Sequence, residues 1–288
     1  MMRQTAFFNY IFSIICFLGI LSCENSYDEE EQWQQLFNGT DLSGWTPKFV
    51  DLEADDNYKN TFRVEDSLLQ ANYSEYDSFR NEFGHLFHEK KFSYYRIRAE
   101  YMMPEGRING TPDWAFGNNG LMLHSQSVES MGLNQAFPIS LEMQLLAGVG
   151  KGERPNCNLC TPGTHVNLGD TLFTTHCINS TSKTYPLGTW VTVEALVLGD
   201  SILHQIVEGD TVMTYTKPVI GGDMAEGATP LAKIDGQRLT QGHISIQAEG
   251  HPISFKKIEV LDLCGCMDKK AKNYKSYYLK ADNTKCVY

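Results

Sequence analysis

No long stretch of this 288-residue sequence spaces its apolar residues helically. That absence argues against helix bundles and α/β folds, which need amphipathic helices. Positive charge is scarce too: 24 Lys and Arg stand against 35 Asp and Glu, a net of −11. A nucleic-acid partner would demand a basic patch, so none is expected. Long apolar runs are limited to Ala6–Leu21, which is too short for a comfortable membrane span. Cys157-x-x-Cys160 has no second Cys-x-x-Cys and no matching His-x-x-x-His after it, so structural zinc is not expected. What the chain does have is glycine, aromatics and frequent β-branched residues. Its length suits one large β domain or two small ones.

Residues 1–22 read as an export leader, with Arg3 ahead of the apolar run. The run ends in Ile20-Leu21-Ser22-Cys23, which resembles a bacterial lipoprotein lipobox. Cleavage there would leave Cys23 as a lipidated N-terminus anchored to the outer membrane. The alternative is an ordinary secretory signal cut near Ser22. Residues 23–32, with Asp28-Glu-Glu-Glu31, read as an acidic, solvated tether. They also resemble the signal that sends some Bacteroidetes lipoproteins to the cell surface. Losing Arg3 with the leader takes the mature chain from 24 basic residues to 23 against 35 acidic, a net of −12.

Eight cysteines less Cys16 and Cys23 leave six, an even number that suggests disulfides in an exported chain. Six allow fifteen pairings, and the residues alone do not choose among them.

The remaining sequence is a succession of short strands and turns. Trp33–Trp45 is an opening segment, and Thr61–Asn72 a hairpin turned at Glu65-Asp66-Ser67. Gly84–His88 and Tyr94–Met103 follow as strands. Trp190–Leu198, Ser201–Glu208 and Thr211–Thr216 form a meander with turns at Gly199-Asp200 and Gly209-Asp210. Gly242–Glu249 alternates, and Ile253–Leu263 closes the domain. About a dozen such strands imply a jelly-roll β-sandwich over residues 33–263. Gly148–Thr189 reads as one long loop, uncommon unless functional and held in order by cysteine bridging. Residues 264–288 are rich in Lys and Tyr and cannot build a core, so they read as a small appended module needing a disulfide staple.

The chemistry-bearing stretch is Pro138–Leu146. Ile139, Leu141, Met143 and Leu145 face one way, and Ser140, Glu142 and Gln144 the other. A carboxylate and a carboxamide on one face suit gripping or deprotonating a polyol. Gly120–Ser125 lies just before it, and His124 is expected on the same concave face as Glu142 and Gln144. Trp114 and Phe116, in the Gly/Pro-rich loop Pro104–Asn119, suit stacking on sugar rings. His243, Gln247 and Glu249 alternate on one face, expected near a sheet edge and open to solvent.

Five segments in order then resemble the 3-keto-disaccharide hydrolase family: L-F-N-G-T-D-L-S-G-W (36–45), Asn119–His124, S-L-E-M-Q-L-L (140–146), G-T-W-V-T-V-E (188–194), and G-H-I-S-I-Q-A-E-G with I-S-F-K-K-I-E-V-L (242–261). The resemblance implies an all-β, concanavalin A-like jelly-roll sandwich and a carbohydrate substrate. Asn158–Thr164 and His176–Thr184 look like a subgroup signature within it, which makes Cys160–Cys177 the implied disulfide. The tail is similar to a short Cys-containing repeat of secreted Bacteroidetes proteins, which implies Cys266–Cys286. Cys157 and Cys264 would remain, paired across the domain.

A conventional retaining glycosidase needs two carboxylates, about 5 Å apart. Two and four residues on from Glu142 stand Gln144 and Leu146, so no such pair lies on this strand. Asp113, Glu194 or Glu249 would have to supply a partner from elsewhere. The family's chemistry avoids the need. A ketone at C3 acidifies the C2 hydrogen; a base removes it, the C1 oxygen leaves, and water adds back. Glu142 or His124 could be the base, and His176 the acid. Lys183 or a divalent metal at His124, Glu142 and His176 could polarise the ketone. No cofactor is otherwise implied. Gln144, Asn119, Trp114 and Phe116 are the expected substrate-binding residues. The competing reading is a non-catalytic carbohydrate-binding sandwich resting on the aromatic platform, since one fold hosts both.

Overall fold

The computed structural model describes residues 30–288. The expected leader, Cys23 and most of the acidic tether lie outside the described residues. Two antiparallel sheets pack face to face as a jelly-roll sandwich. Among the described residues there is no α-helix, only three short 3-10 turns.

The larger sheet has ten strands. Its order is Thr171–Phe173, Thr164–Leu168, Asp210–Ile220, Ile202–Val207, Val191–Leu198, Tyr94–Met102, Ile253–Asp262, Leu68–Ala71 and Phe62–Glu65, with Gln34–Gln35 paired on Ile253–Asp262. The alternation in Tyr94–Met102 sends Tyr95, Ile97, Ala99 and Tyr101 into the core and Arg96, Arg98 and Glu100 outward. The outward arginines are tied by ion pairs: Arg96 to Glu194 at 2.9 Å, Arg98 to Glu259 at 2.5 Å. Trp33 lies 4.3 Å from the Arg98 guanidinium, which seats the start of the domain on this strand.

The second sheet has eight strands, in the order Cys177–Ile178, Asn158–Cys160, Leu141–Gly148, Asn118–Ser125, Gly242–Ala248, Gly84–Phe92 and Trp45–Phe49, with Tyr185–Pro186 parallel to Leu141–Gly148. Pro47 is tolerated because Trp45–Phe49 is an edge strand. Leu141, Met143 and Leu145, with Leu121, Leu123, Ile244 and Ile246, meet the inner face of the larger sheet. Each such side chain contributes about 1.5–3 kcal/mol by leaving water.

The expected long loop at 148–189 is in fact woven into both sheets as five short strands of two to five residues. Each is too short to show a period; Thr164–Leu168 and Tyr185–Pro186 are fixed by partners distant in sequence, and Thr171–Phe173 only by its hairpin neighbour. Cys160 and Cys177 are disulfide-bonded and sit opposite each other on neighbouring strands. Cys266 and Cys286 are bonded within the C-terminal residues 264–288. The expected Cys157–Cys264 bridge does not form. Both thiols are free, Cys157 in the sandwich core and Cys264 on the strand that pairs with Lys280–Ala281.

Candidate active site

The site is built on the outer face of the eight-stranded sheet. Cross-strand register sets the side chains out in rungs. One rung runs Cys160, Glu142, Met122, Ser245, Phe87, Thr46. The next runs Asn158, Gln144, Gly120, then Gln247, His85 and Lys48. A cavity of about 380 Å³ opens over this face. Glu142, Gln144, Asn118 and Glu249 form its polar floor. Phe83, Trp114 and Phe137 make one wall; His176, Pro162, Met224 and the Cys160–Cys177 disulfide make the other. The two phenylalanine rings lie 5.2 Å apart, and Phe83 is 6.0 Å from Trp114, which is 53% exposed.

Glu142 is only 5% exposed and Glu249 only 4%. Burial pushes the Glu142 carboxyl up to about 8. Glu249 is raised well above its ordinary range, first by burial and then by the negative charge of Glu142. Asn118 Nδ2 donates to Glu249 Oε2 at 2.8 Å and fixes that carboxyl. The Glu142 side chain lies over Gly120, where a Cβ would sit 2.6 Å from Glu142 Oε1. Asn158 Nδ2 donates to Gln144 Oε1 at 3.1 Å. His176 is anchored through its carbonyl, which accepts from Thr161 N at 2.8 Å. Its Nδ1 is buried without a partner, and burial lowers its pKa.

The structure therefore brings Glu142, Gln144, Trp114 and His176 together, and it selects Glu249 as the second carboxyl. Asp113 is highly exposed and paired with Arg107 at 2.7 Å. Glu194 is paired with Arg96 on the other sheet.

Four expected residues do not join the cavity. His124 was expected beside Glu142, but a bulge reverses its direction. The pairing steps from Met122↔Ser245 to Ser125↔His243, one residue longer on the His124 side, and His124 takes a left-handed φ of 49°. Its ring turns inward, 5.8 Å from Tyr95, with Nε2 3.0 Å from the Gly199 carbonyl of the opposite sheet. Asn119 faces the core side of its strand and donates to the Gln247 carbonyl; its neighbour Asn118 occupies the floor instead. Phe116 packs edge-on against His251 and lines a separate cavity with Arg107 and Asp113. Lys183 is exposed over the Tyr185 ring in another depression.

With His124 turned away, the expected metal trio is not assembled. Ligand atoms of Cys160, His176 and Cys177 do lie within 4.8 Å of one another. Both sulfurs are joined in the disulfide, which leaves the imidazole as that group's one good ligand. The residues present do not fit a bound divalent ion there.

Asn118, Phe83 and Phe137 escaped the sequence reading as site residues, and Glu249 entered it as one of three candidate partners for Glu142. Alternation alone did put Gln247 and Glu249 on one face. That face is not an edge, because Gly242–Ala248 lies between Asn118–Ser125 and Gly84–Phe92.

The family model described as 3-keto-alpha-glucoside-1,2-lyase-like domain matches residues 32–261. Among solved structures, two proteins of Parabacteroides distasonis provisionally described as glycosyl hydrolases are similar. One is 13% identical with a TM-score of 0.47, covering 80% of this chain and 99% of the other. The second is 19% identical, also at 0.47, covering 80% and 93%. A carbohydrate-binding module of Bacillus subtilis aligns at 8% identity and a TM-score of 0.42, covering 76% and 96%. No curated protein matches the sequence.

Proposed function

The chain belongs to the 3-keto-α-glucoside-1,2-lyase-like family, and from that premise we propose that this carbohydrate-active sandwich cleaves 3-keto-glycosides by elimination followed by hydration. The observation that carries the reading is the buried carboxyl pair, Glu142 and Glu249, on the floor of an aromatic-walled cavity. Two desolvated acids cost folding free energy, which marks the cavity as a functional-site candidate, and unequal environments assign their roles. Glu142, raised only to about 8, loses its proton first, and its charge then helps burial hold Glu249 protonated. Glu142 is thus the base for the C2 hydrogen, and Trp114 a stacking face for the sugar. The electron pair from the C2–H bond passes into the C3 carbonyl as an enolate. Its return forms the C1–C2 double bond and expels the C1 oxygen. Protonated Glu249 is the acid that serves the leaving oxygen, and the neutral His176 imidazole, its pKa lowered by burial, donates a hydrogen bond to the C3 oxygen. Water then adds across the new double bond, its hydroxyl to C1 and its proton to C2.

The test is release of aglycone from 3-keto-glucosides and from their unoxidised parents. The wild-type protein is expected to cleave only the keto forms, and Glu142→Gln to lose about 10²–10⁴-fold in kcat with sugar binding retained. Unimpaired cleavage by Glu142→Gln overturns the assignment. Sugar binding with no turnover of any glycoside would favour the binding-module reading, which the exposed Trp114 supports.

The same proposal places the enzyme on the outer membrane through a lipid on Cys23, with residues 23–32 as its tether. Cys23→Ser is then expected to move the protein from the membrane fraction to the soluble fraction with unchanged kcat/KM. Continued membrane retention would refute the anchor.

A further inference from the structure

Behind the cavity's aromatic wall lies a polar row that the reaction above does not use. His85 is 0% exposed and Gln247 is 1% exposed, and they stand directly opposite each other on neighbouring strands. Both ring nitrogens of His85 and both amide atoms of Gln247 are buried without any hydrogen-bond partner. Four such atoms in one place are unusual, since buried polar groups are nearly always paired. They continue the rung that begins at Asn158 and Gln144, and Gly120 between Gln144 and Gln247 adds no side chain to interrupt it. Phe137 covers His85 edge-on, with ring centroids 6.0 Å apart, and Phe83 braces Phe137.

We propose that Gln247 and His85 form a second sugar subsite, closed in this structure by Phe137, which binds the ring on the far side of the scissile bond and sets substrate specificity. The inference rests on the function proposed above. Gly120, over which the Glu142 carboxyl lies, is two strand spacings from His85, or about 9.5 Å. That is farther than one pyranose ring reaches from the reacting carbons, but within reach of the next ring. The chemistry suits neutral hydroxyls. Burial and the neighbouring Lys48 ammonium hold His85 down at about 3, so its imidazole stays neutral, with one nitrogen donating and the other accepting. The Gln247 amide offers the same pairing. Displacing Phe137 toward solvent would uncover both while leaving its ring against the sugar's apolar face.

Calorimetry in a Glu142→Gln background, which slows turnover about 10²–10⁴-fold, compares a 3-keto-disaccharide with methyl 3-keto-glucoside. Gln247→Leu is expected to lower the disaccharide-over-methyl affinity ratio about fivefold or more. Its Tm should be equal or higher, because an orphaned buried amide is replaced by an apolar group of similar size. His85→Phe should shift the ratio in the same direction. An unchanged ratio, with the orphaned atoms held by buried water alone, overturns the subsite. So does an equal fall for both ligands. Keto-glycoside cleavage by the wild-type protein with an unmoved ratio would remove the subsite and keep the enzyme. No binding of either ligand and no cleavage would remove both.

Discussion

Glu142 is where burial, charge and reactivity meet. Its carboxyl, raised from 4.5 to about 8 by desolvation, is mostly protonated at neutral pH. If it is the base, kcat/KM should climb about tenfold per pH unit up to roughly pH 8 and then level off. A flat profile from pH 6 to 8 would exclude this carboxyl as the base. The same shift has a consequence for stability with a definite sign. A folded pKa above the unfolded one means that the native state holds a proton the unfolded chain has released. The stabilisation is therefore full below about pH 4.5 and is lost as pH rises through about 8. Glu142→Gln has no such dependence, so its Tm advantage over the wild type should widen between pH 5 and 8. A constant difference across that range would mean that Glu142 titrates normally. His124 shows the opposite use of burial: held down to about 4, it stays neutral while its Nε2 bonds the Gly199 carbonyl between the sheets.

The reach of the sequence is clearest at the level of strands. Leu141, Met143 and Leu145 announce the inner face by alternation, and Glu142 and Gln144 the outer one, because a strand's period is fixed. The same rule fails at His124. One added residue reverses every side chain that follows, and a histidine in a left-handed conformation leaves no mark in the hydrophobic pattern. It fails differently at Glu249, whose face was legible but whose neighbours were not. Register between Gly242–Ala248 and Asn118–Ser125 is a long-range fact, and only that pairing sets Glu249 on the same floor as Glu142. The family resemblance supplied the Cys160–Cys177 bridge, which the residues alone left among fifteen pairings. Gly120 offers a test of how the strands aim the base. A methyl group there would fall 2.6 Å from Glu142 Oε1, 2.9 Å from its Cγ and 3.0 Å from its Cδ. All three belong to one side chain and none to backbone, so Gly120→Ala should fold normally by circular dichroism while kcat falls about 10²-fold as the Glu142 side chain swings away. Activity within twofold of wild type would show that Glu142 works from another position.

Across the described residues, the site and the C-terminal segment 264–288, which we treat as a module, are attached to different sheets. The module follows the Ile253–Asp262 strand of the ten-stranded sheet, whereas the cavity floor belongs to the eight-stranded one. Its internal ties are its own: the Cys266–Cys286 disulfide, the short parallel pair Cys264–Gly265 with Lys280–Ala281, and Asn273 Nδ2 donating to the Lys285 carbonyl at 2.7 Å. Within it, only Gly265, Cys266 and Ala271 are fully buried, too little apolar surface to hold a fold without the disulfide. Several links tie it to the sandwich, among them Cys264 N donating to Asp262 Oδ1 at 2.9 Å. The Leu263 carbonyl accepts from Leu279 N at 2.8 Å and from Lys280 N at 3.1 Å, and the Lys280 ammonium lies 5.6 Å from the Tyr94 ring centroid. Leu263, by contrast, is buried and donates its N–H to the Tyr94 carbonyl, so it belongs to the sandwich. A chain ending at Leu263 should therefore keep its Tm within about 3 °C and its keto-glycoside kcat/KM within twofold. None of the cavity-lining residues departs with residues 264–288. A large fall in kcat/KM at unchanged Tm would instead mean that residues 264–288 reach the substrate, and the site would have to be redrawn to include them.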